Sequence, residues 1–121
     1  MNNRDKRVFI IILKYCRNIA KANKTFHDDK TLFFDEEEGF IYRDTVSMSI
    51  LQIGELANNL TDEMRKSHKN IPWRQIIDMR NIAAHRYEDW DYETVWGVAH
   101  NDVPELAKKI QAILDAEEYA Q

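Results

Sequence analysis

The chain has 121 residues, enough to bury one hydrophobic core but not two, so we expect a single domain that spans residues 1–121. Apolar residues make up 44% and charged residues 31% of the sequence, which is ordinary for a soluble globular protein, and no stretch approaches the roughly 18 apolar residues that span a bilayer. The net charge of −4 argues against a protein that coats nucleic acid, but it is compatible with a nuclease whose few cations are concentrated at one site.

Glycine, proline and cysteine are scarce in the chain. Three glycines and two prolines are few for a loop-rich β protein and favour a mostly helical fold. The single cysteine, Cys16, excludes an internal disulfide and fits a reducing compartment. The apolar run at residues 8–13 is not followed by a small-residue cleavage site, so a secretory signal is not expected. We therefore predict a cytoplasmic protein that does not insert into a membrane.

The first predicted helix covers about residues 5–22, because apolar side chains recur there at spacings of three and four. Its apolar face is broad, so it needs cover on two sides, either from the rest of the bundle or from a second subunit. Residues 23–38 are predicted to form a polar connection that contains a short helix near residues 31–35. The acidic run at residues 35–38 is interpreted as the solvated start of the next helix, where carboxylates complement the helix dipole.

The second long helix is predicted over about residues 38–60. Its inward positions alternate spacings of four and three, the pattern of a helix face that packs against a core. Small residues lie beside this row and would let another helix approach closely: Ser47, Ser49 and Gly54. The residues of the row itself are Val46, Ile50, Ile53, Ala57 and Leu60.

Four start signals divide the second half of the chain. Thr61 is predicted to cap a short helix that ends near residue 67, and Pro72 to open the next one. Asp91 is predicted to cap a helix that extends to about residue 100. Asp102 with Glu105 resembles a capping box and predicts a separate last helix that ends near residue 118. The sequence therefore predicts an all-α, single-domain antiparallel bundle of four to five main helices plus short ones.

The helix opened by Pro72 carries a cation where its periodicity predicts an apolar residue. Its inward positions are predicted to be Trp73, Ile77, Arg80 and Ala84. Desolvating a guanidinium group without partners costs several kcal/mol, so Arg80 must be paired or must face a wet cleft. A residue that breaks its local pattern without a packing gain indicates a functional site.

His85 lies five residues after Arg80, about 140° away around an ideal helix. The two side chains could converge if the helix ends near His85, or if two chains meet across a two-fold axis. A histidine can transfer protons near neutral pH, and an arginine can hold a phosphate through two parallel hydrogen bonds. Together they suit metal-independent cleavage of RNA, whose 2′-hydroxyl is the nucleophile. DNA, which lacks that hydroxyl, would not be a substrate.

Each of these residues also has a structural interpretation. Arg80 could form an ion pair with an acidic residue such as Glu55, His85 could be an ordinary exposed histidine, and Tyr87 could serve only in packing. The histidines and Cys16 show no metal-ligand spacing such as Cys-x2-Cys or His-x3-His, so a metal enzyme is not expected.

Three segments resemble the HepT-like toxins of the HEPN superfamily. They are "IGELANNL" at residues 53–60, "IPWRQIIDMRNIAAHRY" at residues 71–87 and "VWGVAHNDVPEL" at residues 95–106. The superfamily signature is an arginine, four to six residues, and a histidine, which Arg80 and His85 match. Tyr87, two residues after the histidine, completes the HepT form of the motif, and Asn81 follows the arginine as is usual.

The resemblance implies a homodimeric helical bundle with the motif in a cleft near the dimer interface. It also implies a metal-independent ribonuclease without a cofactor, acting as the toxin of a toxin–antitoxin pair. The antitoxin would be a minimal nucleotidyltransferase of the MntA type, which neutralises the toxin by transferring AMP to Tyr87. The implied roles are phosphate binding for Arg80, proton transfer for His85 and support of the site for Asn81.

Two other functions remain open from the sequence. The chain could be a non-catalytic HEPN module that only binds a nucleotidyltransferase or its nucleotide. Alternatively, it could be the substrate-binding subunit of a two-component nucleotidyltransferase whose AMP is transferred elsewhere.

Overall fold

A computed structural model of the chain describes residues 1–84 and 91–119, with only the backbone described for residues 81–84. Within these ranges the protein consists of helices joined by turns, without a strand, so the all-α prediction is confirmed. The helices are α1 (Asn3–Thr25), α2 (Lys30–Phe34), α3 (Phe40–Asn58), α4 (Asp62–Ser67), α5 (Trp73–Ala84), α6 (Tyr92–Gly97) and α7 (Val103–Tyr119). A π-helical segment, Val98–Asp102, joins α6 to α7.

Helix α1 begins where the side chain of Asn2 accepts the backbone N–H of Asp5 at 2.6 Å. It packs against α3 and α7, so the bundle itself covers most of the broad apolar face. Phe9, Ile12 and Ile19 are fully buried in this position. Ile10, on the outer side of the helix, stays 50% exposed.

Helix α3 is the central element, because it packs against both α1 and α5. Every residue of the predicted inward row is buried, which confirms the row, although its last member, Leu60, lies two residues beyond the end of α3 at Asn58. The predicted helix start at residue 38 is wrong by two residues. The carboxylate of Asp35 accepts the backbone N–H groups of Glu37 and Glu38, both at 2.9 Å, and this closes a turn before α3 begins at Phe40.

Two predicted helix caps are present. The hydroxyl of Thr61 accepts the N–H of Met64 at the start of α4, and the carboxylate of Asp91 accepts the N–H groups of Glu93 and Thr94 at the start of α6. Both caps satisfy N–H groups that have no partner within the first helical turn.

The predicted separate start of the last helix at Asp102 is wrong. Helix α6 continues through the π-helical segment into α7, and the N–H of Val103 bonds to the carbonyl of Val98 in the π register. Pro104 has no N–H to donate, which leaves a carbonyl of the preceding turn without its helical partner. The side-chain amide of Asn23 donates to the carbonyl of Ala99 at 3.5 Å, so packing against α1 compensates for the proline. Among the described helices, none is both long and apolar enough to cross a membrane.

Candidate functional site

The candidate site is built on α5, which is anchored at its first turn. The carbonyl of Pro72 accepts the N–H of Ile76 at 3.1 Å, so the proline opens the helix as predicted. The indole N–H of Trp73 donates to the carbonyl of His68 at 3.0 Å, and the residue is buried. These contacts fix the position of the helix before it reaches Arg80.

The inward face of α5 differs from the predicted one by one residue. The buried row is Trp73, Ile76 and Met79, whereas Ile77, which was predicted to face inward, is only half-buried. The reason is the contact with α3, which meets α5 along the side that carries Ile76 and Arg80.

Gly54 of α3 sets the distance between the two helices. A Cβ atom placed on Gly54 would lie 3.0 Å from the backbone nitrogen of Arg80, 3.0 Å from the carbonyl oxygen of Ile76 and 3.1 Å from the Cβ of Arg80. The missing side chain therefore lets the backbone of α5 approach α3 directly. This confirms for Gly54 the prediction that small residues of α3 admit a close neighbour, and it places the backbone of Arg80 in the interior of the bundle.

The side chain of Arg80 extends from this contact to the surface. It is 30% exposed, and its Nη1 atom lies 4.0 Å from Oε2 of Glu55, whose side chain is 52% exposed. The ion pair with Glu55, which the sequence left open as the structural interpretation of Arg80, is therefore present. The distance is longer than a direct hydrogen bond, and ion pairs at such exposure contribute at most about 1 kcal/mol. The guanidinium group is consequently held near one carboxylate but remains accessible to a phosphate.

The other three predicted site residues are not described to the same extent. The backbone of Asn81 belongs to α5, one residue after Arg80, and its side chain is not among those that the structure describes. His85 and Tyr87 both lie outside the described residues. Their convergence with Arg80 stays a prediction.

A shallow basic groove lies between α4 and the first half of α5. Its volume is about 470 Å³, and its cations include Lys66, Lys69 and Arg74, with the carboxylate of Asp78 also in the lining. Arg65 lies in the same wall but is committed to Asp62 and to the last carbonyls of α3. Three further cations therefore lie on or beside the helix that carries Arg80.

The cysteine of α1 is not available for chemistry. Burial raises the pKa of the Cys16 thiol to about 12, so the thiol stays protonated and is a poor nucleophile and metal ligand at neutral pH. In residues 1–84 and 91–119, no three His, Cys, Asp or Glu side chains are grouped in a way that could hold a metal ion.

Comparisons with known proteins point to one family. The family described as ribonuclease HepT-like matches residues 7–113. Two similar proteins from Methanocaldococcus jannaschii are named as candidate RNases: MJ1380 is 25% identical over 93% of this chain and 100% of its own length, and MJ0125 is 30% identical over 98% and 99%. A protein of Thermococcus cleftensis, named "Probable ribonuclease HepT", is 31% identical over 50% of this chain and 56% of its own length. No solved structure matches.

Proposed function

The chain belongs to the HepT-like ribonuclease family, and we propose on this basis that it is a metal-independent endoribonuclease acting through Arg80 and His85. The observation that supports the proposal most directly is the position of Arg80. Its backbone is fixed against Gly54, while its guanidinium reaches the surface beside the loosely held carboxylate of Glu55. A phosphate-binding arginine requires a backbone that is fixed in position and a guanidinium group that is accessible to the phosphate.

The proposed reaction uses the RNA itself as the source of the nucleophile. His85 assists removal of the proton from a ribose 2′-hydroxyl, and that oxygen attacks the adjacent phosphorus. The bond from phosphorus to the 5′ oxygen of the next nucleotide breaks, and the leaving oxygen takes up a proton. The products are a 2′,3′-cyclic phosphate and a 5′-hydroxyl end. Arg80 binds the phosphate oxygens and stabilises the negative charge that increases on them, and Asn81 supports the site.

We further propose that the active form is a homodimer whose interface includes the outer face of α3. Ile41 and Met48 are 55% and 52% exposed, and with Glu55 they follow at intervals of seven residues. They therefore lie on one face of α3, and this face leads to the contact between Glu55 and Arg80. Two exposed apolar side chains on the face that leads to a candidate site are suited to a subunit interface.

In this proposal the protein is a toxin, and its antitoxin is a minimal nucleotidyltransferase that transfers AMP to Tyr87. Attack of the tyrosine hydroxyl on the α-phosphorus of ATP would join AMP to the side chain and release pyrophosphate. The added phosphate carries negative charge and bulk. It would compete with the RNA phosphate for Arg80, and this explains how the modification would inactivate the enzyme.

The proposal is tested by incubating the purified protein with RNA in the presence of EDTA. We expect cleavage that leaves cyclic phosphate ends, and we expect His85→Ala to abolish it without loss of the fold. If neither protein cleaves RNA but both bind the proposed nucleotidyltransferase, the chain is a non-catalytic binding module instead. Mass spectrometry of the protein purified together with that partner tests the second part, since the proposal requires an AMP adduct on Tyr87.

For the homodimer, light scattering after size-exclusion chromatography gives the oligomeric state. Met48→Asp places a charge in the proposed interface and should yield a monomer. Ile10→Asp, at a similarly exposed apolar residue on α1, is the matched control and should leave the dimer intact. A dimer that withstands Met48→Asp would rule out this face.

A further inference from the structure

The charge of the protein is distributed very unevenly. Seven of its 17 Lys and Arg residues lie in α1, together with one of its 21 Asp and Glu residues. Helix α1 therefore has a formal charge of +6, and the remaining residues have −10. The single carboxylate of α1, Asp5, is 1% exposed and accepts hydrogen bonds from Thr61, so it does not neutralise the outer surface of the helix.

Five of these cations lie along one face of the helix, and we call this set the α1 basic stripe. They follow at spacings of seven, three, four and three residues, and all are exposed. On an α-helix they fall within a sector of about 100° and extend over about 25 Å. The stripe consists of Arg7, Lys14, Arg17, Lys21 and Lys24.

The charges of the stripe are not neutralised by ion pairs within the described fold. None of the ion pairs within residues 1–84 and 91–119 includes one of its side chains. Arg17 donates a hydrogen bond to the side-chain oxygen of Gln111 at 3.4 Å, and this contact is exposed. Like charges three and four residues apart on a helix repel each other, so the row opposes folding. A feature that weakens the fold without a packing gain indicates a ligand of opposite charge.

We propose that the α1 basic stripe binds the phosphate backbone of the RNA substrate, on a helix other than the one that carries Arg80. A phosphodiester strand presents one negative charge per nucleotide in a regular series, and a single row of cations on one helix face complements such a series. Ile10 lies within the stripe and is 50% exposed, and it offers an apolar surface to a base or ribose. The identity of the polyanion rests on the proposed function.

The α4–α5 groove is a second basic surface, and it fits a strand less well. Its cations do not form one row, and Asp78 places a carboxylate among them. This carboxylate would repel a phosphate backbone. At the stripe, Asp28 lines the same cavity as Arg17 and Lys24, but its carboxylate is hydrogen-bonded to His100 at 3.0 Å.

The test is a comparison of two variants with the same loss of charge. The stripe variant carries Lys14→Gln, Arg17→Gln and Lys21→Gln, and the groove variant carries Lys66→Gln, Lys69→Gln and Arg74→Gln. Both are made in the His85→Ala protein so that RNA is not consumed. Fluorescence anisotropy of labelled oligouridine gives the binding constant at several salt concentrations, and circular dichroism verifies that each variant is folded.

We expect the stripe variant to bind about tenfold more weakly and the slope of log binding constant against log salt concentration to become shallower by about 2, since each lost phosphate contact accounts for about 0.7. The groove variant should keep the slope of the parent protein. Unchanged binding by the stripe variant, or an equal loss in both variants, overturns the inference. So does a stripe variant that binds RNA normally but no longer binds the nucleotidyltransferase, because the stripe would then be a protein interface.

The outcome is independent of catalysis. Cleavage is measured separately on the protein that retains His85. A chain that binds RNA through the stripe without cleaving it would refute the proposed function and support this inference. A chain that cleaves RNA equally well with and without the stripe cations, and whose RNA binding has the same salt dependence in both forms, would support the proposed function and refute this inference.

Discussion

Gly54 and the backbone of Arg80 are in direct contact across the α3–α5 interface, and a Cβ on the glycine would meet the nitrogen of Arg80 at 3.0 Å. Backbone atoms of a packed helix cannot rotate away as the end of a flexible side chain can. The glycine therefore fixes where the arginine begins, although it lies in a different helix and has no side chain of its own.

Gly54→Ala should weaken the fold and impair the site together. The methyl group would push α5 away from α3, and this strain should exceed the helix-propensity gain of alanine and lower the free energy of unfolding by about 1–2 kcal/mol. RNA cleavage should fall by about tenfold or more, because a small displacement of Arg80 is enough to impair catalysis. Urea unfolding and a cleavage assay measure the two effects.

The matched control is Gly97→Ala. Gly97 is helical, and a methyl group added there would meet no neighbouring atom within 4 Å, so alanine should stabilise the protein by up to about 1 kcal/mol and leave cleavage unchanged. If Gly54→Ala behaved like this control, the close helix contact would have no importance for the site.

Arg80→Ala should separate activity from stability. The side chain is 30% exposed and its ion pair is loose, so its loss should change the free energy of unfolding by no more than about 1 kcal/mol. Cleavage should fall by about 100-fold or more, because a donor to the reacting phosphate is lost. Arg80→Lys keeps the charge but not the paired donors and should retain only part of the activity. A large loss of stability with a small loss of activity would identify Arg80 as a structural residue.

Glu55→Gln should strengthen RNA binding. Glu55 is the carboxylate that pairs with Arg80 in the described part of the chain, and it competes with a phosphate for the guanidinium group. We expect the apparent KM for RNA to fall severalfold while the free energy of unfolding changes by less than about 1 kcal/mol. Glu118→Gln removes the same charge from an exposed position of α7 and is the control. An equal effect of both variants would indicate a general change of net charge rather than competition at Arg80.

The cap at Asp91 should make stability depend on pH in the acidic range. The hydroxyl of Thr94 and then its backbone N–H donate to the carboxylate and lower the pKa of Asp91 in the folded state. The folded state therefore gains from the ionised form above the unfolded pKa of about 3.9, and this gain is lost as the pH falls through the lower folded value. Thermal melts of wild type and Asp91→Asn should differ at pH 6, and the difference should shrink as the pH falls below the unfolded pKa of about 3.9. A constant difference would exclude this linkage.

The periodicity of the sequence was sufficient to predict the long helices and most of the core. The inward row of α3 is buried as predicted, because a helix with one apolar face has only one orientation that removes that face from water. In α5 the prediction failed by one residue. Ile76 and Ile77 are the same residue type, and the close approach at Gly54, which periodicity does not include, decides which of them turns inward.

The basic residues of the protein, too, could be predicted from the sequence only in part. Arg80 and its partner Glu55 could be predicted, since a cation in an apolar row requires compensation. The α1 basic stripe was not predicted, because the net charge averages it with the acidic remainder of the chain. The spacing of the five cations was visible in the sequence, but their common exposure follows from the packing of α1 against α3 and α7.

The π-helical segment before α7 contains one residue more than a regular helix would, and this extra residue is connected with the presence of Pro104. A π-bulge holds one residue more than a regular α-helix, so deleting a residue such as Asn101 would restore α-helical register without turning the flanking core residues away. In that regular helix, however, the ring of Pro104 would collide with the carbonyl four residues earlier, at a cost of about 3 kcal/mol. Among related chains, we therefore expect loss of a residue from this segment to accompany replacement of the proline.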